Sequence, residues 1–246
     1  PWEGDLLAVW LDGRNMLTTE GEEGGPMTLR AGLITPSGEV TRPALLDDRT
    51  CECCNTAAVH TEAGVLVAYR DRTPSEVRDI YLTRFDGQTW SVPEVLHDDG
   101  WKINGCPVNG PALAAQGRRV AAAWFTGAEG VPRVNVAFSD DGGQQFRAPI
   151  SVDEGSSVGR VDVALLDDGS ALVSWLDTEG EAAAIRARYV RPDGTMGPPA
   201  TLAGVSAART TGMPRMVRAG EQVYLAWVDA EADRVRLART SAAALR

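Results

Sequence analysis

The chain has 246 residues and a formal net charge of −10 at pH 7. That length accommodates one large all-β domain or two small ones, and the acidity argues against nucleic acid or an anionic membrane surface as bulk partners. No apolar run reaches the length of a membrane span, and of 24 basic residues only Lys102 is a lysine, which suggests a GC-rich, bacterial genome.

The first predicted strand, Leu6–Trp10, is a short apolar run ending in an aromatic. The same pattern returns at Val65–Tyr69, Val120–Trp124, Ala171–Trp175 and Val223–Trp227, with the aromatics 59, 55, 51 and 52 residues apart. A repeat of about 50 residues built from short strands reads as a β-propeller or a related array. A single motif running end to end favours one domain over residues 1–246, large enough for a substantial core.

The first repeat begins directly with its second strand, so its innermost strand would have to precede Pro1. The second repeat has strands at Thr56–Thr61, Val65–Tyr69, Ile80–Arg84 and Val92–Leu96, with a turn at Asp86–Trp90 before the last. The third has Pro111–Ala115, Val120–Trp124, Arg133–Phe138 with period-two alternation, the turn Ser139–Phe146 and a short strand at Pro149–Val152. The fourth has Val161–Leu166, Ala171–Trp175, Ala184–Val190 and the turn Pro192–Gly194. The fifth has Pro214–Arg218, Val223–Trp227 and Arg234–Arg239, and stops before an outer strand. The expectation is an all-β propeller of four-stranded antiparallel blades, three complete and two incomplete. It has five or six blades in all, six favoured, with upstream sequence missing, and an export signal could have been lost with it.

In such blades the loop entering the first strand and the loop joining strands two and three share a face. All four cysteines, Cys51, Cys53, Cys54 and Cys106, belong to that face. So do Arg14, Arg49, Arg70, Arg72, Arg78, Arg160, Arg209 and Arg215, a positive concentration in an acidic protein. Each arginine can pair with an acid of its own loop, as Arg14 with Asp12 or Arg72 with Asp71. Several around one axis can instead hold an anion, because guanidinium forks bind carboxylates bidentately. The candidate ligand contacts are Arg14, Arg72, Arg160, Asp162 and Arg215, with Trp101 in the longest entry loop either stacking on a sugar or plugging that loop.

Four cysteines allow three disulfide connectivities and fit an oxidising, periplasmic or extracellular location. A bridge from the Cys51–Cys54 cluster to Cys106 would staple two blades, leaving a short Cys-x-Cys bridge or a vicinal Cys53–Cys54 ring. The other reading is a thiolate site for Cu or Zn, with His60 or His97 as an extra ligand.

The turn Ser139-x-Asp141-x-Gly143-x-x-Phe146 resembles the Asp-box of sialidases and other BNR-repeat propellers. Asp86–Trp90 and Asp193-Gly194 resemble degraded copies. The motif is structural: the carboxylate caps turn N–H groups, glycine takes a positive φ and the aromatic plugs the sheet. The resemblance implies the sialidase fold and, in that family, three arginines on a sialic acid carboxylate, a tyrosine nucleophile helped by a glutamate, and an aspartate acid/base. Arg160 and Arg215 match two of the arginines by position. The Arg-Ile-Pro-type motif is not present, and Tyr69, Tyr81, Tyr189 and Tyr224 all lie within strands. Two functions follow as expectations. One is an exported propeller that binds an anionic small molecule, a glycan or a metal on the Arg/Cys-rich face without sialidase catalysis. The other is an exo-α-sialidase-type hydrolase whose active site is partly upstream. Oligomeric state is left open.

Overall fold

The computed structural model describes residues 2, 4–16, 24–179, 182–206, 208 and 212–246. Among these described residues, eighteen strands form five antiparallel sheets in chain order. The first contains β1 (Leu6–Asp12), β2 (Thr28–Ile34) and β3 (Val40–Asp47). The second contains β4 (Ala57–Thr61), β5 (Gly64–Arg70), β6 (Ile80–Phe85) and β7 (Glu94–Val95). The third contains β8 (Ala112–Gln116), β9 (Arg119–Thr126), β10 (Arg133–Ser139) and β11 (Ile150–Ser151). The fourth contains β12 (Ser157–Leu165), β13 (Ala171–Glu179), β14 (Ala182–Val190) and β15 (Ala200–Ser206). The fifth contains β16 (Arg215–Ala219), β17 (Gln222–Asp229) and β18 (Arg234–Ser241). Within each sheet the strands lie in sequence order. Three four-stranded sheets flanked by two three-stranded ones match the expected plan. β1 carries the repeat aromatic Trp10, so it aligns with the second strand of the other sheets.

Alternation along the second strand of each sheet explains the packing. In β5, Val65, Val67 and Tyr69 join Leu29 and Ala31 of the first sheet, whereas Leu66 and Ala68 join Val120 and Trp124 of the third. In β9, Ala121, Ala123 and Phe125 pack with Val173 and Trp175 of the fourth. Leu172 and Leu176 pack with Met216, Val223 and Leu225 of the fifth. The side-chain period of two thus gives each inner sheet two apolar faces, one for each neighbour. In the second to fifth sheets the repeat aromatic turns toward the preceding sheet, and Tyr69, Trp124 and Trp175 are 0–1% exposed. They are core plugs.

The inner strands β4, β8, β12 and β16 pack in succession, and a side-chain amide or carboxylate fastens each to the next. Asn55 Oδ1 accepts from the Gly110 N–H at 3.2 Å, and its Nδ2 donates to the Pro111 carbonyl at 3.2 Å. Asn109 Oδ1 accepts from the Arg160 N–H at 2.7 Å, and its Nδ2 donates to the Val158 carbonyl at 3.1 Å. Asp162 Oδ2 accepts from the Met216 N–H at 2.8 Å. The approach is close enough to dictate glycine. A Cβ on Gly110 would fall 1.9 Å from the Asn55 carbonyl oxygen, and one on Gly159, at φ +84°, would fall 2.3 Å from Asn109 Oδ1.

The turn Ser139–Phe146 has the expected chemistry. Ser139 Oγ donates to Asp141 Oδ1 at 2.7 Å and accepts from the Gly143 N–H at 3.0 Å, while Asp141 Oδ1 caps the N–H groups of Gln144 and Gln145. Gly143 sits at φ +85° and Phe146 packs beside Trp124. The Asp86 and Asp193 turns keep the carboxylate cap, on Gln88 and Thr89 and on Thr195 respectively.

Removing the Asn109 side chain leaves a buried N–H and carbonyl without their partner. Asn109→Ala is expected to lose about 2–4 kcal/mol of unfolding free energy in urea, whereas Gln144→Ala on the opposite, exposed turn should change it by less than about 0.5 kcal/mol.

Candidate functional site

Three loops interlock on the face that carries the cysteines. The Arg78 N–H donates to the Trp101 carbonyl at 2.9 Å and the Ile103 N–H to the Glu76 carbonyl at 3.0 Å. Asp79 caps the N–H groups of Gly100 and Trp101 at 2.9 and 3.0 Å. Two disulfides complete the cap: Cys53–Cys106 joins the entry loops of the second and third sheets, and Cys51–Cys54 closes within its own loop. The staple to Cys106 is as expected, but its partner bridge is neither Cys-x-Cys nor vicinal. Because Cys53 is the residue that reaches Cys106, Cys51 and Cys54 are left to each other. The sulfurs of Cys51, Cys53 and Cys54 lie within 4.8 Å of one another, and neither His60 nor His97 joins this cluster among the described residues. Bonded in pairs, the four offer no thiolate to Cu or Zn.

The arginines fall into distinct environments. Arg70 is 1% exposed and donates to three carbonyls, of Asn109 at 2.6 Å, Arg78 at 2.5 Å and Phe125 at 2.7 Å. Its guanidinium lies 4.8 Å over the Trp101 ring. Burial lowers its pKa to about 9, which leaves it cationic at neutral pH. Arg78, also 1% exposed, bonds Glu52 and Glu76, and Arg72 bonds the same two carboxylates. The bonds from Arg72, joined by those from Arg78, hold Glu76 well below the usual carboxylate range. Arg72 is therefore engaged within its own blade, but on Glu52 and Glu76 rather than on the expected Asp71.

Trp101 is 7% exposed, packed edge-on against Phe125 at 5.5 Å and covered by Arg70 and Gly127. Of its two expected roles the geometry favours the plug, since a sugar has no open ring face to stack on.

At the hub, Asp162 is 5% exposed and meets the Arg215 guanidinium at 3.6 Å. Burial raises the Asp162 pKa and Arg215 opposes that rise. Arg215 itself remains 61% exposed. Arg160 lies on a bulge of β12 at φ +55°, a left-handed conformation uncommon outside glycine, and its Nη1 donates to the Ala208 carbonyl at 3.0 Å. Arg14 is 61% exposed and bonds Asp12, which it holds far below the usual carboxylate range. The structure brings Asp162 and Arg215 together and keeps Arg14 and Arg72 on carboxylates of their own sheets. Arg209 lies outside the described residues.

One site escaped the motif reading. Asp follows the repeat aromatic by two positions in four of the five repeats: Asp12, Asp71, Asp177 and Asp229. In three of them the aromatic faces an arginine across the ladder, Arg30, Arg186 or Arg236, which pairs with that Asp at 3.8, 3.8 and 2.8 Å. In the second sheet Tyr69 faces Tyr81 instead. Asp71 thus has no cross-strand arginine, and Asp47, Asp79 and Asp48 surround it. Burial first, then those charges, push its pKa up to about 7. Beside it the Tyr69 hydroxyl donates to Asp47 Oδ2 in a short hydrogen bond. Burial, and then Asp47, drive the Tyr69 pKa far upward.

No family model matches the chain, and no curated protein matches it. Among solved structures it is similar to a Hadza microbial sialidase, with 17% identity over 87% of this chain and a TM-score of 0.53. It spans about half of that sialidase (52%). It is also similar to a mutant sialidase from Streptococcus pneumoniae, with 10% identity over 95% of this chain, 40% of the other chain and a TM-score of 0.50. The α-L-arabinofuranosidase of Podospora anserina, solved with cellotriose, gives 9% identity, 98% and 87% coverage and a TM-score of 0.50. These likenesses place the chain in a sialidase-like, glycoside-hydrolase-like propeller fold.

Because the folded-state pKa of Asp71 lies above its unfolded value, its contribution to stability is complete below pH 4 and is lost as pH rises through about 7. Asp71→Asn is therefore expected to raise Tm at pH 8 while leaving it unchanged at pH 4. Differential scanning fluorimetry at both pH values checks this.

Proposed function

We propose that the chain is a single, exported propeller domain that binds an anionic, carboxylate-bearing sugar on its entry-loop face and does not perform sialidase hydrolysis. The observation that carries this reading is Arg215. The buried carboxylate of Asp162 orients its guanidinium at the hub without covering it, so donors stay open to a ligand carboxylate. Arg14 over Asp12 repeats the arrangement in the first sheet. Arg160 lines the same hub, Arg72 belongs to the wall, and Trp101 supports the loop from beneath. The paired disulfides are compatible with a periplasmic or extracellular location. No helix among the described residues is long and apolar enough to cross a membrane.

Tyr69 supports the non-catalytic half of the proposal. It is 0% exposed and held as a phenol, whereas a tyrosine nucleophile needs access to substrate and a lowered pKa. The alternative, an exo-α-sialidase-type hydrolase, draws on a different observation. Tyr69, Asp47 and Asp71 place a phenol, a carboxylate and a carboxyl of raised pKa side by side, and that reading requires Tyr69 to become uncovered.

Titration with N-acetylneuraminic acid, followed by saturation-transfer NMR, is expected to show binding that Arg215→Ala weakens about tenfold, the loss of one charge-assisted contact. The 4-methylumbelliferyl conjugate should release no fluorophore. Equal affinity in the variant contradicts the binding site, and turnover supports the hydrolase.

A further inference from the structure

The four sulfurs are arranged as two bridges in contact, one buried and one near the surface. Cys51 and Cys54 are 0% and 2% exposed, beyond the reach of an external thiol. Cys53 and Cys106 are half-buried at the edge of the loop face. Between the bridges, the Sγ atoms of Cys51 and Cys53 lie 3.8 Å apart, at van der Waals contact. The Arg78 guanidinium donates to the Cys51 sulfur at 3.5 Å and is itself held by Glu52 and Glu76. It places positive charge beside the sulfur at which an incoming thiolate would form its bond.

We propose that these cysteines form a thiol–disulfide exchange centre, in which Cys53 passes to the buried bridge the reduction that the half-buried Cys53–Cys106 bridge receives from a dithiol. A thiolate of the dithiol attacks Cys106 Sγ. A mixed disulfide forms, the Cys53–Cys106 bond breaks, and Cys53 leaves as a thiolate. The Cys53 thiolate attacks Cys51 Sγ. The Cys51–Cys53 bond forms, Cys51–Cys54 breaks, and Cys54 leaves as a thiolate that takes a proton from water. The second thiol of the dithiol then closes on its partner sulfur and releases Cys106. The dithiol is oxidised to its disulfide by two electrons, and the protein gains thiols at Cys54 and Cys106. The staple between the two entry loops opens, while a bridge persists within the Cys51–Cys54 segment.

The exchange step needs no reductant once Cys53 is free, so Cys106→Ser isolates it. After acid quench, unfolding and labelling with N-ethylmaleimide at low pH, tandem mass spectrometry is expected to find label on Cys54 in some molecules and on Cys53 in the rest. Label confined to Cys53 overturns the proposal. In the wild-type chain treated with one equivalent of dithiothreitol, the expected labelled pair is Cys54 with Cys106, and Cys53 with Cys106 alone overturns it. An unchanged near-UV circular dichroism spectrum in Cys106→Ser ties its result to the native cluster.

Discussion

Asn55 and Asn109, just before β4 and β8, and Asp162, within β12, each accept a backbone N–H on or beside the next inner strand. The rest of the fold depends on these three contacts, because each fixes a backbone amide, whereas the other polar links between inner strands, Arg215 to Asp162 and Arg218 to the Leu165 carbonyl, run through long flexible side chains. A hydrogen bond to one buried N–H fixes the offset between neighbouring sheets, and leaving that N–H without a partner costs about 1–3 kcal/mol. The tight approach at Gly110 and the bulge at Gly159 and Arg160 are the local accommodation this requires. The left-handed backbone at Arg160 persists because Asn109 holds its N–H.

The same offset positions the loop face. Arg70 leaves the end of β5 and bonds the Asn109 carbonyl, so the residue that stitches the hub also anchors the cap. Around Arg70 lie Trp101, Phe125 and the carbonyl of Arg78, and beyond them the Arg72, Arg78, Glu52 and Glu76 network and the two disulfides. Much of the positive charge on this face is therefore committed to holding loops, while among the described residues Arg14 and Arg215 present exposed guanidiniums. A ligand carboxylate would meet a rigid wall with a few oriented donors, an arrangement that keeps the cost of ordering small.

Much of the architecture was legible from the recurring apolar strand. The aromatics set the period, the period set the sheets, and the unbroken apolar runs of Val65–Tyr69 and Ala121–Phe125 are what two-sided burial demands. The Asp-box turn was legible because its cap is local, within eight residues. The hub stitches were not, since Asn109-Gly110-Pro111 reads as an ordinary turn until its partner, about 50 residues away, is in place. The cysteine pairing was half legible: the spacing pointed to Cys106, but the direction of the Cys53 side chain settled which sulfur reaches it. Trp101 shows the limit of reading a long loop as a ligand platform, because the charge that covers its ring comes from Arg70 on a different element. Asp71 was visible only by comparing repeats, where Tyr81 stands in the place of an arginine.

The fold joins this chain to sialidase-like propellers, yet Tyr69 is sealed beneath the surface against a half-buried Asp47, and the open guanidinium of Arg215 lies at the hub. Both facts follow from the same register of sheets. The most direct test of that register is native-state hydrogen exchange at the three stitched amides, Gly110, Arg160 and Met216. The account predicts that they exchange only through global unfolding, as slowly as the amides of β9 and β13. Exchange at the rate of the exposed outer strand β7 would contradict it.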